Sequence, residues 1–419
     1  MFSIKKEEKW VKISLAIILG LFFIINLYSV LKYGELNYLG SFEKFDNDDV
    51  KYIRSAWELI DNGHFIYHRV NEPTVFIMPG LTYTIAFFMK IFGKFGGITA
   101  FRVFQAFLQM GSMYFLFLIG RKIFNSKAAL IGCILNLLYV VEYFTATLVL
   151  TETIFKFLLL LLVYISICAV EEKNMMLYTI GGVVWGLACL VRPTIAAYPI
   201  VILVMWIIKK YSFKEIMKYT IATTLVFSLI MAPWWIRNYK EFHRFIPLTL
   251  SSGNPFLQGT YVNYQDDGKY IPYEAGETAI ESNQNEINAG LYRLKTYGRE
   301  EPLRYIYWYT IGKSAYLWGH PFYWISVLGI SYNTVTKYHH IVLLLGIVST
   351  VILFRRKEKM FLYLFLTTLF FNLIYLPYFT FARYSYPVMP MICTIGGYVI
   401  HEILVKRRLR SGEATNTNS

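Results

Sequence analysis

The stretch Phe45-Asp46-Asn47-Asp48-Asp49-Val50-Lys51-Tyr52 puts three carboxylates within four residues, directly ahead of Val50, Ile53, Trp57 and Ile60 at helical spacing. Gly63 stands where that helix would end. Capping and the preference of acidic groups for a first helical turn account for one Asp; three exceed what a cap needs. Another carboxylate, Glu152, sits in Leu150-Thr151-Glu152-Thr153 at the start of an apolar run, where it would either complete a cap or face the mouth of a helix bundle. Arginines stand in Val191-Arg192-Pro193, in Trp234-Trp235-Ile236-Arg237-Asn238 and in Ala382-Arg383-Tyr384-Ser385-Tyr386-Pro387. Singly each is explained by snorkelling to a membrane interface. Together with the carboxylates they suit a phosphate-bearing lipid, because the guanidinium fork makes bidentate, charge-assisted bonds to phosphate. In such a site a carboxylate takes a proton from an acceptor hydroxyl while arginines neutralise the departing phosphate. A carboxylate cluster can also hold a divalent cation through oxygen, although no spacing here requires one. His64 and His68 are four apart, but Gly63 argues that they lie beyond the helix and do not share a face as ligands.

What must position these residues is a membrane bundle. The chain has 419 residues, 56% hydrophobic and only 16% charged, which excludes the balance of a soluble domain. Its net charge of +14 falls in short runs between apolar stretches rather than along one solvated face, so nucleic acid is not expected as a partner. A bilayer core needs roughly 20 apolar residues per helix. Ten segments qualify, approximately 11–30, 98–120, 128–143, 153–170, 175–190, 194–208, 216–232, 338–354, 360–376 and 387–405. The fold class expected is therefore all-α, a polytopic helix bundle forming a single domain over 1–405, with a basic and polar cytoplasmic tail at 406–419. Residues 411–419 read as disordered. The run after Lys5, Lys6, Lys9 and Lys12 is too long for a cleaved signal and reads as a retained anchor.

Lysine and arginine clusters in the short loops all fall on one side if the apolar stretch 82–92 lies in the headgroup plane instead of crossing. Both termini are then cytoplasmic, and two substantial segments, 31–97 and 235–337, lie outside. The first would rest its amphipathic helix on the membrane. Within the second, 304–328 is aromatic, broken at Lys313 and at His320-Pro321, and suits the interface. The same topology brings Asp48, Glu152, Arg192, Arg237 and Arg383 to the outer face, with no charge expected near the middle of a helix. Cys133, Cys168, Cys189 and Cys393 lie far apart in apolar runs and read as small core residues.

The ordered set of short motifs resembles the membrane glycosyltransferases of the protein O-mannosyltransferase and aminoarabinose-transferase type, the superfamily with the so-called C fold. It comprises Asp48-Asp49-Val50-Lys51-Tyr52, Pro79-Gly80-Leu81, Leu150-Thr151-Glu152-Thr153, Arg192-Pro193-Thr194, Pro233-Trp234-Trp235-Ile236-Arg237-Asn238-Tyr239 and Arg383-Tyr384-Ser385-Tyr386-Pro387. The resemblance implies transfer of one sugar from a polyprenyl-phosphate donor to a protein, glycan or lipid acceptor outside the cytoplasm. A single displacement would invert the anomeric carbon. It maps the family's first-loop acid best onto Asp48, with Asp46 and Asp49 remaining open, and the second acidic position onto Glu152. Arg192, Arg237, Arg383, Tyr52, Asn238 and Tyr384 are the substrate-binding residues expected, and no metal ligand is assigned. A lipid-linked-sugar transporter and an outer-face polysaccharide polymerase or ligase are the competing readings; no repeated half supports the former.

Overall fold

The computed structural model describes residues 2–70 and 72–416, and among them every regular element is helical. The apolar run after the N-terminal lysines forms α1 (Lys9–Tyr33). In the first segment expected outside, 31–97, α2 (Asp48–Asp61) begins where the Asn47 side chain accepts the Asp48 backbone N–H at 2.9 Å. Asparagine is thus the cap, which leaves the Asp48 carboxylate for other partners. The apolar face of α2 does not rest on lipid as expected. Val50, Ile53 and Ala56 are buried, and α2 packs on α3 (Gly80–Phe92). Gly93, at φ +77°, then turns the chain back into α4 (Lys94–Ile123), a conformation that a residue with a Cβ would resist.

The expected third segment is split into α5 (Ser126–Leu137) and α6 (Val141–Thr147), bent by 59°. The Tyr143 hydroxyl takes up the Leu137 carbonyl at 2.5 Å across the break, which satisfies a backbone acceptor inside the protein. The chain continues through α7 (Glu152–Glu172), α8 (Met175–Val191), a 3-10 turn at Pro193–Ala197, α9 (Pro199–Ile208) and α10 (Phe213–Phe242). The segment expected outside at 235–337 begins inside α10, which runs on through Pro233 to Phe242. It holds α11 (Gly253–Gly259), α12 (Ala279–Glu300), α13 (Pro302–Tyr307), a π turn and α14 (Lys313–Trp318). Lys313 does not break this segment. Its buried ammonium donates to the Leu376 and Tyr378 carbonyls at 2.6 and 3.0 Å, tying α14 to the chain at 376–378.

The last helices are α15 (Tyr332–Arg355), α16 (Leu362–Tyr375) and α17 (Met389–Asn416). The expected disordered tail is helical as far as Asn416, and the remainder of that stretch lies outside the described residues. All ten apolar segments fall on helices. Among the described residues six are long and apolar enough to cross a bilayer, the bent α5–α6 pair makes a seventh, and α8, α9 with its preceding turn and α16 are shorter. The chain is a multi-pass, all-helical membrane protein.

Lipid tails are as apolar as leucine, so helices in a bilayer associate through close packing of small residues. The contact between α5 and α17 shows this: a Cβ on Gly397 would lie 2.6 Å from the Gly132 nitrogen and 2.9 Å from the Ala128 carbonyl oxygen. Both obstacles are backbone, which cannot rotate aside. Gly397→Ala is expected to cost about 1–3 kcal/mol of stability, the usual scale of overpacking, and to lower the detergent melting temperature. An unchanged melting temperature would mean that α17 can move off α5 freely.

Candidate functional site

Glu152 opens α7 and is fully buried, yet its carboxylate caps nothing. It is held instead by two arginines from distant segments. Arg192, at the break between α8 and the Pro193 turn, donates through Nη2 to Oε1 at 3.0 Å. Arg383, on the 3-10 turn Ala382–Tyr384, donates through Nε to Oε1 and through Nη2 to Oε2 at 3.4 Å. The same guanidinium reaches Asp48 with its remaining nitrogen, Nη1 to Oδ2 at 2.9 Å. The Tyr67 hydroxyl donates to the other Asp48 oxygen at 2.7 Å. One arginine therefore joins the Asp48 carboxylate at the start of α2 to the Glu152 carboxylate at the start of α7.

The two carboxylates differ in access. Glu152 is sealed behind the arginines, whereas the Asp48 side chain is 41% exposed. Asp48, Tyr52, Arg192, Arg383 and Tyr384 face a cavity of about 550 Å³, which Thr249, Ser251 and Ser252 close from the second outer segment. Burial alone would push the Asp48 carboxyl up. The Arg383 charge, the Tyr67 hydroxyl and Lys51 together outweigh burial and hold it below the ordinary aspartate range. Tyr67 is raised well above a normal phenol, by burial first and then by the Asp48 charge, so it remains a donor. Arg192 lies between the Phe155 and Tyr384 rings, 5.7 and 5.4 Å from their centroids, and its buried Nη1 has no hydrogen-bond partner. Tyr384 in turn stacks on Tyr375 at 4.5 Å.

Not every expected residue arrives. Asp49 points away and accepts the Leu39 backbone N–H at 2.6 Å. Asp46 is exposed and accepts that of Ser41 at 2.9 Å. Of the three aspartates only Asp48 faces the cavity. Arg237 is also outside its wall: Nη1 donates to the Thr74 carbonyl at 2.6 Å and to the Asn238 side chain, among the rings of Phe65, Trp234 and Phe242. Asn238 donates to the Ile246 carbonyl at 3.0 Å. Arg237 thus ties residues 65–74 to the end of α10, Asn238 ties that end to the chain just beyond it, and neither lines the cavity. Conversely, Tyr67 was not expected, since nothing about an aromatic residue in a loop marks it. Nor was a buried charge inside a helix: Lys156, one turn into α7, is wholly enclosed and paired with Glu142 of α6.

The fit for a divalent cation is poor. The Arg383 guanidinium stands between the two carboxylates, and no group of three or more His, Cys, Asp or Glu side chains converges among the described residues. His64 and His68 follow α2 in irregular chain.

Residues 72–236 match the family model described as dolichyl-phosphate-mannose-protein mannosyltransferase. The Archaeoglobus fulgidus oligosaccharyltransferase in its apo form superposes with a TM-score of 0.60 and 13% identity, over 98% of this chain and 53% of that one. Oligosaccharyltransferase AglB from Archaeoglobus fulgidus, in complex with an inhibitory peptide and a dolichol-phosphate, gives 0.56 and 15% over 98% and 52%. A complex of the Archaeoglobus fulgidus enzyme with Zn and sulfate gives 0.53 and 14% over 93% and 50%. The chain spans about half the length of these structures, and the likeness is one of fold. No curated protein sequence matches it. The resemblance to polyprenyl-phosphate-dependent membrane glycosyltransferases, read from the ordered motifs, is met by the family match and by the fold.

Because the folded-state pKa of Asp48 is depressed, the stability it contributes is fully present above the unfolded value and is lost as pH falls through the folded one. The melting-temperature difference between wild type and Asp48→Asn should stay constant from pH 8 down to about 5, above the ordinary aspartate pKa, and shrink only below it. A difference already shrinking at neutral pH would mean that Asp48 is not held by Arg383.

Proposed function

We propose that this chain is an inverting glycosyltransferase that moves one sugar from a polyprenyl-phosphate donor to the hydroxyl of a protein, glycan or lipid acceptor. The observation that carries this reading is the cavity-facing Asp48 carboxylate sharing Arg383 with the buried Glu152, beside the unpartnered Nη1 of Arg192. The family match to mannosyltransferases that use a lipid-phosphate sugar supports it.

On this reading the donor phosphate accepts from Arg192 and Arg383. Asp48 takes the proton of the acceptor hydroxyl as its oxygen attacks the anomeric carbon from the side opposite the phosphate. The bond from that carbon to the phosphate oxygen breaks with both electrons on the leaving lipid phosphate, where the arginines offset the charge. Glu152 holds the arginines and touches neither reactant. Tyr52 and Tyr384 offer ring faces to the bound substrate. No step needs a metal ion. The loop charges put both termini in the cytoplasm and the cavity on the opposite face.

The test is sugar transfer from radiolabelled polyprenyl-phosphate sugars in proteoliposomes, at matched folded protein. Asp48→Asn should lower transfer by about two to four powers of ten, the scale of losing a general base, and Arg192→Ala should chiefly raise the KM for donor. Equal transfer by wild type and Asp48→Asn would overturn Asp48 as the base. Flux of intact donor across the bilayer without transfer would overturn the enzyme in favour of a transporter.

A further inference from the structure

One turn behind the carboxylate site lies a second polar cluster that does not reach the cavity. Its centre is the Tyr386 hydroxyl, which donates to Glu142 Oε2 at 2.8 Å and accepts from Lys156 Nζ at 3.0 Å and Gln109 Nε2 at 3.1 Å. Lys156 also donates to Glu142 and to the Gln109 side chain, and Gln109 donates to the Glu142 backbone carbonyl at 2.8 Å. All four residues are enclosed to within 1% of full burial. None of them belongs to the cavity wall.

The connection to the site runs through the chain. Lys156 follows Glu152 by four residues on α7, so the two share a helix face. Tyr386 follows Arg383 by three, at the start of the 3-10 turn Tyr386–Val388 that packs on α7. A single phenol oxygen thus ties the turn that directly follows the one bearing Arg383 to α4, α6 and α7 at once. Arg383 has its own anchors in Asp48 and Glu152, but those are the bonds that a donor phosphate must compete for. The Tyr386 anchor is untouched by substrate.

We propose that Tyr386, held by Glu142, Lys156 and Gln109, is a positioning residue that keeps the Arg383 guanidinium registered between Asp48 and Glu152, and so sets donor binding. The role in donor binding rests on the transferase reading above; the registration of Arg383 does not. A buried ion pair is poor value as stabilisation, since apolar residues of similar volume serve as well or better. What a charged cluster adds is geometry: the Tyr386 hydroxyl is bonded by Glu142, Lys156 and Gln109 at once, and although Glu142 Oε1 has no partner, moving Tyr386 would break all three bonds in a buried site.

The experiment uses full-length protein in detergent and in proteoliposomes. Tyr386→Phe keeps the ring and removes the hydroxyl. The double variant Glu142→Gln/Lys156→Met removes both charges together, so that no buried charge is left unpaired. Arg383 is labelled with an arginine-selective dicarbonyl and its rate read by mass spectrometry against exposed Arg69 in the same sample. In both variants Arg383 is expected to label about tenfold faster than in wild type, the equivalent of one lost hydrogen bond, with Arg69 unchanged. The KM for donor should rise by a similar factor while the KM for acceptor stays put. Unchanged Arg383 labelling in Tyr386→Phe overturns the registration, whether or not the wild type transfers sugar. Faster labelling with an unaltered donor KM overturns the role in donor binding. If the double variant does not fold, Tyr386→Phe decides alone.

Discussion

Everything around the cavity depends on one charge that cannot stand by itself. Glu152 is fully buried at the start of α7, and an ionised carboxylate out of water costs several kcal/mol unless partners offset it. Two arginines do so, from segments 40 and 231 residues away. That requirement draws the break after α8 and the turn before α17 to the mouth of α7. Arg383 then has one nitrogen left over, and it brings Asp48 and α2 to the same point. The four charges balance as two carboxylates and two guanidiniums, so the site is a closed set.

Closing that set requires helices to stop where the charges meet. The chain is interrupted before Gly80, after Val191 and before Met389, with proline at or beside each break. Proline at the start of a helix gives up an N–H that would have had no partner anyway. Interruptions of this kind inside a membrane bundle are tolerated only where protein covers the freed backbone groups or where they line a cavity. The bend between α5 and α6 belongs with them, since it places Glu142 beside α7, and the Tyr143 hydroxyl covers the carbonyl it exposes.

The spans were legible because apolar length is a property of the sequence alone, and the ordered motifs located Asp48, Glu152, Arg192 and Arg383. What could not be read was direction. Asp46, Asp48 and Asp49 are chemically alike, and only the placement of α2, capped by Asn47 and packed on α3, turns one toward Arg383 and the others toward backbone N–H groups. Arg237 has the residue type of a phosphate ligand, but it answers to the Thr74 and Phe65 carbonyls and the Phe65 ring, all more than 160 residues away, as well as to its neighbours Trp234 and Phe242. Lys156 is different, because its signal was present: a lysine inside an apolar run demands an internal partner. The expectation of no charge near the middle of a helix left it out, and the partner, Glu142, lies in the segment 128–143, read as one span but bent by 59°.

A closed set of charges also explains why Asp48 can be both well held and useful. Arg383 keeps this carboxyl below the usual aspartate range, which makes it a weak acceptor of protons. On the proposed reading an incoming phosphate draws Arg383 toward itself, and each step of that withdrawal removes the charge that depressed Asp48. Its proton affinity rises as the donor settles, when an acceptor hydroxyl can first be used. Glu152 cannot respond in the same way, because it keeps Arg192 and has no opening to the cavity. On the proposed reading one carboxylate stays fixed as the anchor for the arginines and the other is released as the base, a division set by burial and not by residue type.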